Sequence, residues 1–457
     1  YWGTPLPIWR TDDGKEEICI DSVATLYDEI EKSVAARVMT SNPYKDRGFV
    51  PGEYSKSNYE KIDLHRPYVD DIVLVSPTGR PMRREADLID VWFDSGSMPY
   101  AQLHYPFENK ELLESGAAYP ADFIAEGVDQ TRGWFFTLHA IGGMVFDSIA
   151  FKSVISNGLV LDKNGDKMSK RLGNAVDPFS TIEKYGSDPL RWYMIANSAP
   201  WDNLKFNPEG VTEVSRKLFS TLFNTYSFFA LYANVDGFDP SAVAVPVCER
   251  PEIDRWIISL LNTLVRETET ALDDLEPTRA ARAINDFVID NLSNWYVRLN
   301  RKRFWGGEMD ADKIAAYSTL YECLLTVSKL MAPIAPFYAD QLYRDLIGDQ
   351  DSSVHTSRYP AADEAYIDKA LEERMSIAQR VTSMVLALRR KINIKVRQPL
   401  TAIMVPAVDE AQSEALERMR DLILGEVNVK EMRIVGNDEG MLVKRVKPDF
   451  KKLGPKL

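Results

Sequence analysis

The sequence predicts an α/β layer over its first two fifths, then an all-α bundle, then the start of a short α+β piece. Three observations predict this. Short apolar runs alternate with helical stretches up to about residue 195. The hydrophobic period becomes helical from about 207 to 395. After Arg397-Gln398-Pro399-Leu400, β-like and helical pieces alternate again. With 457 residues, 45% hydrophobic and 27% charged, the chain is long enough for several cores, and wholesale disorder is excluded.

The elements follow in order. Ile72-Val73-Leu74-Val75 is an apolar run stopped by Ser76-Pro77-Thr78-Gly79, hence a strand. Residues 122–127 form a second strand, running into a helix that starts near Thr131. Val154-Ile155-Ser156-Asn157 and Leu159-Val160-Leu161 are strand-like again. Strands separated by helices imply a parallel sheet, with ligands at the carboxyl ends of its strands. Residues 21–70 read as an insertion with irregular structure of its own. Helices are expected over 211–232, 254–272, 276–304, 311–330, 335–346 and 368–390, the third opened by Glu276-Pro277-Thr278. The domain boundaries are therefore set at 1–205, 206–396 and 397–457.

Composition narrows the function classes. No run approaches the roughly 20 apolar residues of a membrane-spanning helix. Cys19, Cys248 and Cys323 lie too far apart for a disulfide framework or a four-cysteine zinc site, which suits a reducing cytoplasm, and no metal-ligand set is assigned. The net charge of −13 speaks against nonspecific nucleic-acid binding, although local basic clusters override net charge. The opening Tyr1-Trp2-Gly3-Thr4-Pro5-Leu6-Pro7, without an initiator Met, reads as cut from within a longer protein.

Three runs carry chemistry. In Asp162-Lys163-Asn164-Gly165-Asp166-Lys167-Met168-Ser169-Lys170-Arg171-Leu172-Gly173-Asn174, several cations share one short loop between Gly-containing breakers. Such a loop can hold a polyphosphate while charge builds on a leaving group, or it is a solvated basic turn. In Glu126-Gly127-Val128-Asp129-Gln130-Thr131-Arg132-Gly133-Trp134, carboxylates after a strand can accept from ribose hydroxyls. There Gly127 permits close approach, and Trp134 offers a flat apolar wall. The bland alternative is a helix start capped by Asp129 with Trp134 in the core. Finally, Arg298, Arg301 and Lys302 stand at helical spacing beside Arg303, with Trp295 and Tyr296 on the opposite face. They form an RNA-binding face or a solvated one backed by core aromatics.

The wording of these runs adds to their chemistry. Lys167-Met168-Ser169-Lys170 followed by Arg171 resembles the signature loop of class I aminoacyl-tRNA synthetases, whose usual fifth residue is Ser. The run from Glu126 to Trp134, and Trp92-Phe93-Asp94-Ser95-Gly96 before it, resemble the isoleucyl branch, with Val128 and Thr131 as departures. The resemblance implies the second half of a Rossmann-like catalytic domain followed by an anticodon-binding bundle. It implies ATP with Mg2+, isoleucine and isoleucine tRNA as ligands, and a monomeric parent without membrane attachment. It makes Lys167 and Lys170 the catalytic cations, and assigns Glu126, Gly127, Asp129, Gln130, Met168 and Ser169 to the ATP and adenylate site. Trp134 and Gln130 would line the amino-acid pocket, and Arg298, Arg301, Lys302 and Arg303 would meet tRNA. Arg389-Arg390-Lys391 with Lys395 and Arg397, and the cluster Lys444 to Lys456, would extend the RNA track or stay solvated. No His-Ile-Gly-His-type motif surrounds His65, His104, His139 or His355. Two alternatives stand beside this reading: an inactive tRNA-binding fragment, or a relative specific for valine or leucine.

Overall fold

The computed structural model describes residues 3–169, 171, 173–242 and 245–436. They form two compact units that meet in sequence between Leu159 and Val160. Packing thus divides the chain earlier than the composition shift at 205/206. The reason is Trp192, which sits in the core of the helical bundle, while Arg191 Nε donates to Ile334 O at 2.9 Å.

The first unit opens with a four-stranded antiparallel sheet: β1 (Ile8–Thr11), β2 (Glu17–Cys19), then, after helix α1 (Val23–Ala35), β3 (Val73–Val75) and β4 (Pro81–Arg84), in the order β2-β1-β4-β3. Helix α1 corrects the expectation of irregular structure over 21–70. Ser22 Oγ caps it by accepting from Thr25 N at 3.0 Å, and Leu26 and Ile30 bury against Trp9, Leu74 and Met82. Those partners are far away in sequence, so no local pattern announces the packing.

After α2 (Val91–Gly96) comes a βαβ crossover: β5 (Ala121–Gly127), α3 (Trp134–Phe146) and β6 (Phe151–Asn157). The strands pair in parallel from Ala121↔Phe151 to Gly127↔Asn157, as the alternation of strands and helices leads one to expect.

The second unit starts with β7 (Val160–Leu161), α4 (Pro178–Tyr185), α5 (Ser187–Asn197) and β8 (Leu204–Lys205), with β7 and β8 parallel. The bundle follows as α6 (Pro208–Val214), α7 (Ser220–Asp236), α8 (Glu252–Asp273), α9 (Pro277–Asp286), α10 (Arg298–Phe304), α11 (Ala311–Met331), α12 (Pro336–Ile347) and α13 (Lys369–Lys391). Wider π-type turns, Ser215–Phe219 and Phe287–Val297, join α6 to α7 and α9 to α10. Proline opens α6, α9 and α12, where the lost N–H had no partner to lose. The C-terminal piece, β9 (Leu400–Pro406), α14 (Glu410–Arg418), α15 (Arg420–Val427) and β10 (Val429–Val435), sends Leu416, Ile423 and Met432 into the bundle core.

Candidate functional site

The lysine loop lies in the second unit, just after β7. Asp162 organises its first turn: Oδ1 accepts from the backbone N–H of Asn164, Gly165 and Asp166 at 2.9, 3.0 and 2.9 Å. Gly165 carries φ +97°, which suits glycine, and an added Cβ would also meet Lys205 Cε at 3.1 Å. The loop then returns antiparallel, with Lys167 opposite Leu161. Asn174 closes it, accepting from Ser169 N at 2.9 Å and donating from Nδ2 to Asp162 Oδ2 at 3.0 Å and Lys167 O at 3.3 Å. Met168 rests against the apolar cluster of Tyr193, Leu204, Phe206 and Val211, whereas the Lys167 side chain is exposed. Lys170 lies outside the described residues. Sequence reasoning set Asp162 and Asn174 at the two ends of the loop without giving either a role, and it missed Lys205, which arrives from β8 and leaves no local trace.

The carboxylate segment belongs to the first unit. Glu126 is exposed near the carboxyl end of β5, opposite Ser156. Asp129 is exposed on the turn Val128–Arg132, and its Oδ1 stands 2.6 Å from where a Cβ on Gly127 would be. Any side chain at 127 would displace that carboxylate. Gln130, not Asp129, satisfies the helix start: its Oε1 accepts from Trp134 N at 2.9 Å, while its Nε2 donates to Asp129 Oδ2 at 3.1 Å. Trp134 is half-buried and donates from Nε1 to Ser95 O at 2.9 Å. The Trp92 ring lies 3.0 Å from where a Cβ on Gly133 would be. The fold therefore brings the Trp92–Gly96 run against the Glu126–Trp134 run, as one aromatic wall beside two carboxylates. The lysine loop and this wall sit in different units.

In the bundle the cations divide. Arg301 and Lys302 are exposed. Arg298 lies 5.7 Å from the Trp295 ring centroid, pairs with Glu426, and lines a groove of about 1130 Å³ with Asn294, Met384 and Arg390. Arg303 departs from the expectation that it meets RNA. Its guanidinium grips buried Asp254 at 2.7 and 2.8 Å and also pairs with Asp312 at 2.9 Å. The ion pair holds its pKa above the ordinary arginine value despite burial. Trp295 and Tyr296 are core residues, and Tyr296, with its hydroxyl donating to Asp254 Oδ1 at 2.7 Å, offers no stacking surface, while the Trp295 ring edges the groove beneath Arg298. Arg389 is likewise used internally, on the carbonyls of Lys395, Gln398 and Asn428. The cluster from Lys444 to Lys456 lies outside the described residues.

Residues 1–207 match the family model of class I tRNA synthetases (I, L, M and V), and residues 254–404 match the anticodon-binding domain of tRNA ligases. The chain belongs to the class I tRNA synthetases. It is 71% identical over its whole length to the isoleucine-tRNA ligase of Bacteroides fragilis, 70% to that of Bacteroides thetaiotaomicron and 44% to that of Thermus thermophilus. It spans 40% of the first two and 42% of the third. A crystal structure of the ternary complex of Agrobacterium radiobacter K84 agnB2 LeuRS-tRNA-LeuAMS shares the fold, with TM-score 0.55 at 19% identity over 80% of this chain and 42% of that one.

Among the described residues no group of three or more His, Cys, Asp or Glu side chains is arranged to hold a metal ion. No described helix is long and apolar enough to cross a membrane.

Proposed function

We propose that this chain is part of an isoleucine-tRNA ligase, which activates isoleucine with MgATP and transfers it to isoleucine tRNA. In the first step an isoleucine carboxylate oxygen attacks the α-phosphorus, and the bond to pyrophosphate breaks. In the second, a hydroxyl of the terminal tRNA ribose attacks the adenylate carbonyl, and AMP leaves. Neither step needs a covalent enzyme intermediate, so positioning and electrostatics carry the catalysis.

Lys167 and Lys170 would stabilise charge on the departing pyrophosphate, with Met168 and Ser169 shaping the loop. Glu126 and Asp129 would accept from the ribose and the amino-acid ammonium, Gly127 would admit the adenylate close to the backbone, and Gln130 and Trp134 would bound the isoleucine side chain. Arg298, Arg301 and Lys302 would meet tRNA phosphates. In domain terms, residues 1–205 would form the second half of the catalytic domain with its insertion at 21–70, residues 206–396 the anticodon-binding bundle, and 397–457 the start of an α+β region. A monomeric cytoplasmic parent completes the proposal.

The observation that carries this reading is the exposed Lys167 on a turn fixed by Asp162 and Asn174, within a chain 71% identical throughout to an isoleucine-tRNA ligase. The test is isoleucine-dependent exchange of pyrophosphate into ATP by the full synthetase bearing Lys170→Ala. Exchange is expected to fall by roughly 10²–10³-fold, the range for losing one preorganised stabiliser of developing charge. Unchanged exchange removes Lys170 from the mechanism, and equal exchange with valine or leucine refutes the isoleucine assignment.

A further inference from the structure

We infer that Asn174 is a positioning residue for the lysine loop, clamping Lys167 and Ser169 in one geometry through an amide seated on Asp162. The inference rests on the phosphate-binding reading of that loop and goes beyond it by naming what holds the loop in shape.

A primary amide has two N–H donors and one carbonyl oxygen. All are engaged here: Nδ2 reaches Asp162 Oδ2 at 3.0 Å and Lys167 O at 3.3 Å, and Oδ1 accepts from Ser169 N at 2.9 Å. The anchor is itself fixed, because the other Asp162 oxygen takes three backbone N–H groups of the turn. The Asn174 amide, followed by those N–H groups, holds the Asp162 carboxyl below the usual carboxylate range, so it stays charged at neutral pH. Met168 adds an apolar foot between the two clamped residues.

Lys167, Lys170 and Arg171 stand close in sequence and carry like charges, so bringing them together on one phosphate site costs order and repulsion. The clamp fixes the backbone on both sides of Met168. The Lys167 ammonium then starts from a defined place, with less ordering left for ATP to impose. The role assigned to Asn174 is one of position, exerted through its bonds to Asp162, Lys167 and Ser169.

Kinetics of the full synthetase test this. Asn174→Ala should lower kcat for pyrophosphate exchange about 10²-fold, the cost of a misplaced catalytic group, and leave KM for isoleucine within about twofold. Asn174→Asp sets a carboxylate against Asp162 and should lose at least as much. Adding Asp162→Asn restores a donor–acceptor pair at that junction and should recover about tenfold. Hydrogen exchange at the Ser169 amide, read on this chain without substrates, should be slow in the parent sequence and faster in Asn174→Ala. If Asn174→Ala retains kcat within about twofold while Lys170→Ala abolishes exchange, the clamp is refuted and the phosphate reading survives. If neither substitution alters exchange, both fall, the phosphate reading first. If Asn174→Ala does not fold, the Asp pair decides, and absence of recovery overturns the proposal.

Discussion

Arg301, Lys302 and Arg303 are neighbours with the same charge, and the fold gives them opposite fates. Arg303 turns inward to Asp254, which is fully buried, while Arg301 and Lys302 face solvent. Removing Arg303 leaves a carboxylate in the core without its counter-ion, and breaking such a pair costs about 3–5 kcal/mol. Arg303→Ala should therefore lower the urea midpoint markedly, whereas Arg301→Ala and Lys302→Ala should shift stability by no more than about 0.5 kcal/mol. Equal midpoints for all three would show that the Asp254 pair contributes nothing. A basic run is legible in sequence; its division is not. Nothing near Arg303 announces Asp254, 49 residues earlier. Gln130 teaches the same lesson. Asp129 is the conventional capping residue, yet the amide beside it takes the Trp134 N–H, which leaves the exposed Asp129 to support Gln130.

Among the elements, the long helices were readable, whereas of the shortest strands only β3 and β7 were. Helices α8, α11 and α13 carry many periods of apolar residues with clear starts, so local pattern suffices. Strands β1 to β4 hold three or four residues each, and β1 pairs with β4 across 75 residues at Trp9↔Arg84. That sheet has an electrostatic corner. Arg80 meets Asp13 at 2.8 Å and Glu16 at 2.6 Å, and Thr78 Oγ1 also donates to Glu16 at 2.6 Å. Asp13, bonded chiefly by Arg80, and Glu16, bonded chiefly by Thr78 and then Arg80, are both held down to about 2. The unfolded chain, with carboxylates near about 4, binds protons first on acidification. The corner's contribution is therefore complete above about pH 5 and drains as pH falls toward 2. Thermal midpoints measured between pH 5 and 3 should drop more steeply in the parent sequence than in Arg80→Ala. Parallel profiles would show that the corner does not stabilise the fold.

At the scale of the whole molecule, a chain of net charge −13 is proposed to bind a polyanion. Binding must then come from a local face, and counter-ion release makes that measurable. Affinity for isoleucine tRNA should fall with salt, and replacing Arg301 or Lys302 by Ala should reduce the log–log slope by about 1 each. Unchanged slopes would place the RNA elsewhere.

The sequence by itself determined the order of β and α regions, the class I signature loop with its two lysines, and the carboxylate run beside Trp134. Each is a property of contiguous residues, whose spacing and chemistry suffice to express it. Only the tertiary structure decided that Trp295 and Tyr296 are core, that Arg303 and Arg389 are consumed internally, and that the Trp92 run backs Trp134. It alone decided that Asn174 and Asp162 fix the lysine loop. These outcomes depend on which groups meet across a fold, where a buried charge or N–H must find a partner wherever the chain supplies one.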